Sequence, residues 1–333
     1  MQTFEQADVT GKTVIVRADF DVPTENGQIT DKTRIEKSLP TLKKLHEMGA
    51  KLFIISHLGR PEGRQPEFSL KIVLPILEEA LGEKIAFQET LDEKIDGNVV
   101  LLENLRYWPE EEANDETFAK KLASFGEVYV NECFSAAHRA HASVEALPRL
   151  LPSYFGLELF KEVSELEKIF KNPQHPLVAI IGGAKIETKL PAITNLAKIA
   201  DKVLVGGKLM LEVAGTKLPD NVTVAGDDID TKDIGPQSIA TFGQEIALAK
   251  MIVWNGPMGM YEEEKYREGT LKLAQIIGES SAYKIVGGGD TISALDELKM
   301  LDKMDFVSVG GGAMLEFLGG NHLPALEALG YYN

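Results

Sequence analysis

The 333 residues are about two domains' worth of chain, and 44% hydrophobic content suffices for two packed cores. A net charge of −16 opposes nucleic acid and anionic membrane surfaces as partners. No apolar run reaches membrane-spanning length, the first residues lack a signal peptide's basic and apolar regions, and the single Cys133 leaves no disulfide framework or thiolate metal cage. The expectation is a cytoplasmic monomer acting on small molecules.

Strand and helix signals alternate along the first half. Apolar runs at 14–16, 52–55, 85–87, 99–102 and 128–130 predict strands, and periodic segments at 32–48, 70–81 and 115–125 predict helices. Pro148, Pro152 and Gly156 then interrupt the pattern, and a charged amphipathic segment at 158–171 reads as a connector helix. The second half repeats the alternation, with strands at 177–181, 203–205, 222–225, 251–254, 284–286 and 306–309. Helices are expected near 187–199, 235–249, 262–277 and 291–301. Strands that are apolar throughout, with helices between them, belong to parallel sheets covered on both faces. The fold class is therefore α/β: two doubly wound parallel-sheet (Rossmann-like) domains. The expected division is 1–157, a connector at 158–172, a second domain at 173–318 and a tail at 319–333. Ligands are expected at the carboxyl ends of the strands.

Arginine is unevenly placed. Seven of eight (Arg17, Arg34, Arg60, Arg64, Arg106, Arg139, Arg149) lie in the first 150 residues, with four of six histidines, whereas lysine shows no such bias. The guanidinium fork suits carboxylate and phosphate, so this half is read as holding a small polyanion. Four predicted strand ends carry basic residues: Arg17-Ala18-Asp19-Phe20-Asp21, Ser56-His57-Leu58-Gly59-Arg60, Glu103-Asn104-Leu105-Arg106, and Ala137-His138-Arg139-Ala140-His141. His57, His138 and His141 invite a metal reading, but their arginine neighbours suit an anion better than a cation.

The second half carries glycine turns after strands instead. Gly182-Gly183-Ala184-Lys185, Gly206-Gly207-Lys208, Gly287-Gly288-Gly289-Asp290-Thr291 and Gly310-Gly311-Gly312-Ala313 let phosphate or purine approach the backbone at helix starts. Lys185 and Lys189, four apart, are expected on one helix face, where they could grip a triphosphate. Trp254-Asn255-Gly256-Pro257 turns at a strand end, Glu262 could reach a ribose, and Asp290 is the best-placed carboxylate for Mg²⁺. No Walker A loop, dinucleotide fingerprint or covalent-nucleophile motif is present. The missing fingerprint disfavours a nicotinamide-dependent oxidoreductase.

In their order along nearly the whole chain, these motifs closely resemble those of the phosphoglycerate kinase family, with Asp233-Ile234-Gly235-Pro236 as a further match. The resemblance implies reversible phosphoryl transfer between 1,3-bisphosphoglycerate and MgADP, with the domains closing about the connector and the tail returning to the first. It implies that Asp19, Phe20, Asp21, Arg34, His57, Leu58, Gly59, Arg60, Arg106 and Arg139 hold the glycerate. Gly183, Lys185, Lys189, Gly206, Gly207, Asn255, Glu262, Gly287, Gly288, Gly289, Asp290 and Thr291 are implied for the nucleotide, with Asp290 on Mg²⁺ and Arg34, Lys185 and Lys189 catalytic. The attacking oxygen is already ionised in either direction, so no general base is required.

Several positions depart from the family pattern. Asp21 stands where the family has asparagine, which sets a carboxylate against an anionic ligand unless Arg17 or Arg34 pairs with it. Glu132, Cys133 and Ser135 replace aspartate, alanine and glycine. Between Gly207 and Asp233 the chain is several tens of residues shorter than is usual, which predicts a more open base site and relaxed nucleotide preference. A non-catalytic relic of the fold is the alternative that these departures suggest.

Overall fold

The strands that the apolar runs predict assemble into two six-stranded sheets, both parallel throughout. The structure, a computed structural model, describes residues 1–332. It divides into two compact units: Met1–Glu162 with the chain from His322 onward, and Val163–Asn321. The helix Leu157–Lys171 carries the chain from the first into the second. None of the described helices is long and apolar enough to cross a membrane.

In the first unit the strands lie in the order Ala86–Gln88, Val99–Leu102, Lys51–Ile55, Thr13–Arg17, Val128–Asn131, Ser153–Phe155. Their unbroken hydrophobicity has a direct cause. Val14, Val16, Leu52, Ile54, Leu101 and Val130 enter a core on one face, while Ile15, Phe53, Ile55, Val100, Leu102 and Tyr129 enter another on the opposite face. Each buried aliphatic side chain contributes about 1.5–3 kcal/mol, so neither face of these strands tolerates polarity. The tail also belongs here: the Ala325 N–H donates to the Ala137 carbonyl at 3.1 Å, and Leu329 packs on the second core.

The second unit has the order Val222–Val224, Lys202–Val205, Leu177–Ile181, Met251–Asn255, Tyr283–Gly287, Phe306–Ser308. That is the dinucleotide-fold strand order, although no dinucleotide fingerprint accompanies it. In both sheets the first strand is central and the chain changes winding direction beside it. These switch points lie between Thr13–Arg17 and Val128–Asn131, and between Leu177–Ile181 and Met251–Asn255.

The differences from the sequence expectations are local. Ser153–Phe155 is a strand where the prolines predict an interruption; it is three residues long and sits at the sheet edge, where Pro152 costs no ladder bond. The helix expected from 262 begins at Glu268, because Glu264–Tyr266 forms a separate 3₁₀ turn. A short helix, Gly312–Leu318, follows the last glycine turn.

Candidate active site

Arg17 and Asn131 end the two strands at the first unit's switch point, and the loops beyond them bring the predicted residues together. Asp19 accepts from the Ser135 hydroxyl at 2.7 Å and lies 3.7 Å from the Arg34 guanidinium. Asp21 Oδ1 accepts the Gly59 N–H at 2.8 Å, while its Oδ2 lies 3.5 Å from Arg34 Nη1 and 3.6 Å from His57 Nε2. Arg34 also donates to the Asp21 carbonyl at 3.0 Å. Of the two arginines available to pair with Asp21, Arg34 is therefore the one that does. Arg106 donates to the Gly59 carbonyl at 2.6 Å, and its Nε stands 3.4 Å from the exposed Glu112.

Not every predicted residue offers its side chain. Phe20 and Leu58 are buried in the core, and their N–H groups are already taken by Ser56 Oγ and Asn104 Oδ1. Their side chains shape the loop from the core side. Gly59 is fixed by space, since a Cβ there falls 2.3 Å from the Phe68 ring. Arg60 is exposed and Arg139 half-buried, and neither makes an ion pair among the described residues.

Cationic surroundings show in the histidines. His57 is held well below the usual histidine range, by burial first and then by Arg17, Arg106 and Arg34. Burial and then Arg139 lower His138 to about 4; burial, then Arg106 and Arg17, lower His141 to about 4. Three neutral imidazoles among arginines make a donor-rich pocket for an anion and a poor one for a cation. Among the described residues no three His, Cys, Asp or Glu side chains converge to hold a metal.

In the second unit a cavity of about 260 Å³ opens at the switch point. It is lined by Gly183, Lys185, Lys189, Asn255, Gly288, Gly289, Asp290 and Thr291 from the predicted set. It also takes in Gly256, Gly311 and Gly312 from the predicted turns, and Thr188 and Leu315, to which no sequence motif points. A larger groove of about 500 Å³ follows the helix Ile186–Leu196, but it is lined mostly by that helix, with Lys198 as the one cation among its lining residues.

The two lysines differ sharply. The expectation that they share a helix face is corrected: Lys185 precedes the helix in a left-handed conformation (φ 69°) and is exposed, whereas Lys189 is inside the helix and 7% exposed. The left-handed backbone at Lys185 costs about 1 kcal/mol or more in strain. Lys189 donates to Asn255 Oδ1, and burial lowers its pKa to about 8, against the opposing pull of Asp290. Thr291 is fully buried, and its hydroxyl accepts the Gly256 N–H at 2.6 Å, so it ties two strand-end loops together. Asp290 and Gly289 are exposed at the start of the helix Gly289–Glu297. A lone carboxylate suits an ion that brings phosphate oxygens and water with it, as Mg²⁺ does with nucleotides.

The glycines fall into two groups when a Cβ is built on each. At Gly182, Gly206, Gly207 and Gly287 it meets backbone or Met side chains within 3 Å. Those glycines let loops pack on one another. At Gly289 nothing lies within 4 Å, and at Gly183 only the Gly256 Cα, at 3.8 Å. These two leave room for a ligand. Gly206, Gly207, Gly287 and Glu262 are not among the residues lining the cavity.

The family model described as phosphoglycerate kinase matches residues 4–224 and 211–321. The chain belongs to the phosphoglycerate kinase family. A phosphoglycerate kinase of Leptospira biflexa is 38% identical over 384 positions, covering 98% of this chain and 97% of the relative. One from Dictyoglomus turgidum is 38% identical over 382 positions, covering 97% and 96%. The solved phosphoglycerate kinase of Coxiella burnetii superposes with a TM-score of 0.86 at 34% identity, covering 99% of both chains. That of Pyrococcus horikoshii OT3 gives 0.84 at 27%, covering 99% and 98%. The alignments are longer than the chain's 333 residues, so gaps open in it. The family match also breaks at 211–224, within the region that the sequence shows to be short.

Proposed function

We propose that the chain catalyses reversible phosphoryl transfer between 1,3-bisphosphoglycerate and ADP, giving 3-phosphoglycerate and ATP. The observation that carries this reading is the sorting of chemistry between the two switch points. Arginines and neutral histidines crowd the first, and open glycines, Lys185, Lys189 and Asp290 line the second. Arg34, His57, Arg60, Arg106 and Arg139 bind the glycerate's charged ends, with Asp19 and Asp21 orienting Arg34. Lys185 and Lys189 take the nucleotide phosphates against the open backbone of Gly183 and Gly289. Asp290 holds Mg²⁺, which, when bound, neutralises phosphate charge.

The attacking carboxylate or phosphate oxygen is already ionised, so the protein's work is positioning and charge stabilisation. Arg34, Lys185 and Lys189 supply that charge. A coupled assay with 1,3-bisphosphoglycerate and MgADP tests the reading. Sustained ATP formation supports it; none from well-folded protein decides for the non-catalytic relic. The protein works as a cytoplasmic monomer, which sedimentation of the purified chain checks.

Two predictions arise here. Asp21→Asn keeps the acceptor for Gly59 N–H but removes a negative charge facing Arg34 and His57. The KM for 3-phosphoglycerate is expected to fall about three- to tenfold with kcat little changed, a half-buried charge being partly screened. An unchanged or raised KM in steady-state kinetics contradicts this. The second concerns the base. Between Gly207 and Asp233 only the helix Leu209–Glu212 and the short strands Val222–Val224 and Asp228–Ile229 are present. Comparable turnover with ATP and GTP is expected, and strict ATP dependence would sink the idea of an open base site.

A further inference from the structure

Arg17 is the largest arginine surprise in the first unit. It ends the central strand among the glycerate-site loops, yet its side chain is 1% exposed and each of its donor nitrogens is engaged. Nη1 donates to the Ala18 carbonyl at 2.7 Å and Nε to Ser143 Oγ at 2.9 Å. Nη2 lies 2.9 Å from His57 Nδ1. Ser143 in turn donates its hydroxyl to Glu111 Oε1 at 2.5 Å and its N–H to Oε2 at 2.9 Å. Glu111 is also buried, so a carboxylate balances the guanidinium through one serine.

We infer that Arg17 is a positioning residue that fixes His57 as its neutral Nε2–H tautomer, aimed at the ligand's anionic groups. The inference rests on the glycerate reading of this pocket. Its geometry is simple. A guanidinium has donors and no acceptor, so the nitrogen facing it must accept. That excludes both the Nδ1–H tautomer and the imidazolium, since each sets N–H against N–H. The ring proton is left on Nε2, whose nearest carboxylate is Asp21 Oδ2 at 3.6 Å, beyond hydrogen-bond reach. That N–H is free for a ligand.

The charged and titratable groups around His57 are Arg17, Arg34, Arg106, His141 and Asp21. The three arginines all disfavour the imidazolium, as does burial. His57 thus serves as a neutral donor whose hydrogen bond does not change with pH across the neutral range. Arg17 acts through it without touching substrate. This differs from the role that the clustering of arginines suggests, a direct anion contact.

Long-range ¹H–¹⁵N correlation spectra of the full chain, ¹⁵N-labelled at histidine and free of ligand, test the inference. His57 is assigned by the signals lost in His57→Gln. Protonated Nε2 and unprotonated Nδ1, unchanged from pH 5.5 to 8.5, are expected; an Nδ1–H signal, or titration in that range, overturns it.

For cause, Arg17→Met with Glu111→Gln removes the guanidinium and its buried counter-charge together. His57 should then populate the Nδ1–H tautomer, and 3-phosphoglycerate affinity should fall about tenfold with kcat less affected, one charge-assisted hydrogen bond no longer being aimed. Should the double variant not fold, Arg17→Lys replaces it: a donor-only ammonium at Nδ1 preserves the tautomer. An unchanged tautomer in the double variant, or an Nδ1–H in the lysine variant, removes Arg17 from the role. Adding 3-phosphoglycerate to the wild type separates the two readings. The expected free-state spectrum with no Nε2 response to ligand would leave the tautomer standing and sink the glycerate assignment.

Discussion

Lys189→Met is expected to lower turnover by about two to three orders of magnitude while leaving the KM for 3-phosphoglycerate within a few-fold. It should shift the melting temperature at pH 7 by only a few degrees. Lys189 is an ammonium in a nearly dry position, held by Asn255 Oδ1 and lining the cavity beside Asp290. Keeping it charged there costs folding free energy, as the lowering of its pKa to about 8 by burial shows. Methionine preserves the stem and removes that cost. Asn255 loses a donor worth about 1 kcal/mol, which offsets part of the gain.

The pH consequence has a definite sign. Between about 8 and the ordinary lysine value the unfolded chain holds a proton that the folded chain has lost, so this group makes stability rise with pH over that window. Nucleotide phosphates favour the charged form, so binding near pH 8 to 9 should take up a proton. Calorimetry in buffers of different ionisation enthalpy reads that uptake, and Lys189→Met should abolish it. A variant that melts far lower, or weakens glycerate as much as turnover, would show Lys189 to be structural.

Gly256→Ala is expected to cost about 4 kcal/mol or more and to melt the second unit about 10 °C lower. Gly256 has φ +97°, and a Cβ there stands 2.2 Å from the Gly182 carbonyl oxygen. Neither side can yield. Gly182 N–H donates to the Asn255 carbonyl at 2.9 Å, and Gly183 N–H to that of Pro257 at 2.8 Å. The Trp254 indole donates to the Gly256 carbonyl at 2.9 Å. Gly289→Ala is the control: nothing crowds its Cβ, so the fold should stay intact while nucleotide affinity falls. Differential scanning calorimetry and nucleotide titration of both variants check the contrast. Equal melting temperatures would mean that the loops around Gly256 relax more than their hydrogen bonds suggest.

The fold was legible because its signals are local. Each central strand is a run of apolar residues buried on both faces, and each helix is a periodic segment lying between such runs. Parallel pairing at the sheet centre then follows from the lengths of the connections. The Ser153–Phe155 strand was not legible, since a three-residue edge strand is defined by its partner rather than by its own residues. Ser143 and Glu111 escaped notice for a related reason. Glu111 sits in Pro109–Glu112, an acidic turn that reads as solvated, and only the return of the chain at Ala142–Ala146 buries it.

By itself the sequence determined the α/β class, the family resemblance and the two sets of ligand-facing loops. Those depend on residue type and order along the chain, and both sets lie just after strands. Only the tertiary structure decided how each of those residues is placed. It buried Lys189 and exposed Lys185, gave Asp21 to Arg34, and turned Arg17 inward to His57. It also divided the glycines into those that let backbone pack on backbone and those that leave space for a ligand. Spacing along a chain fixes which side of a helix or strand a residue occupies. Desolvation, hydrogen-bond partners and the room beside a Cβ are set by segments far away in sequence.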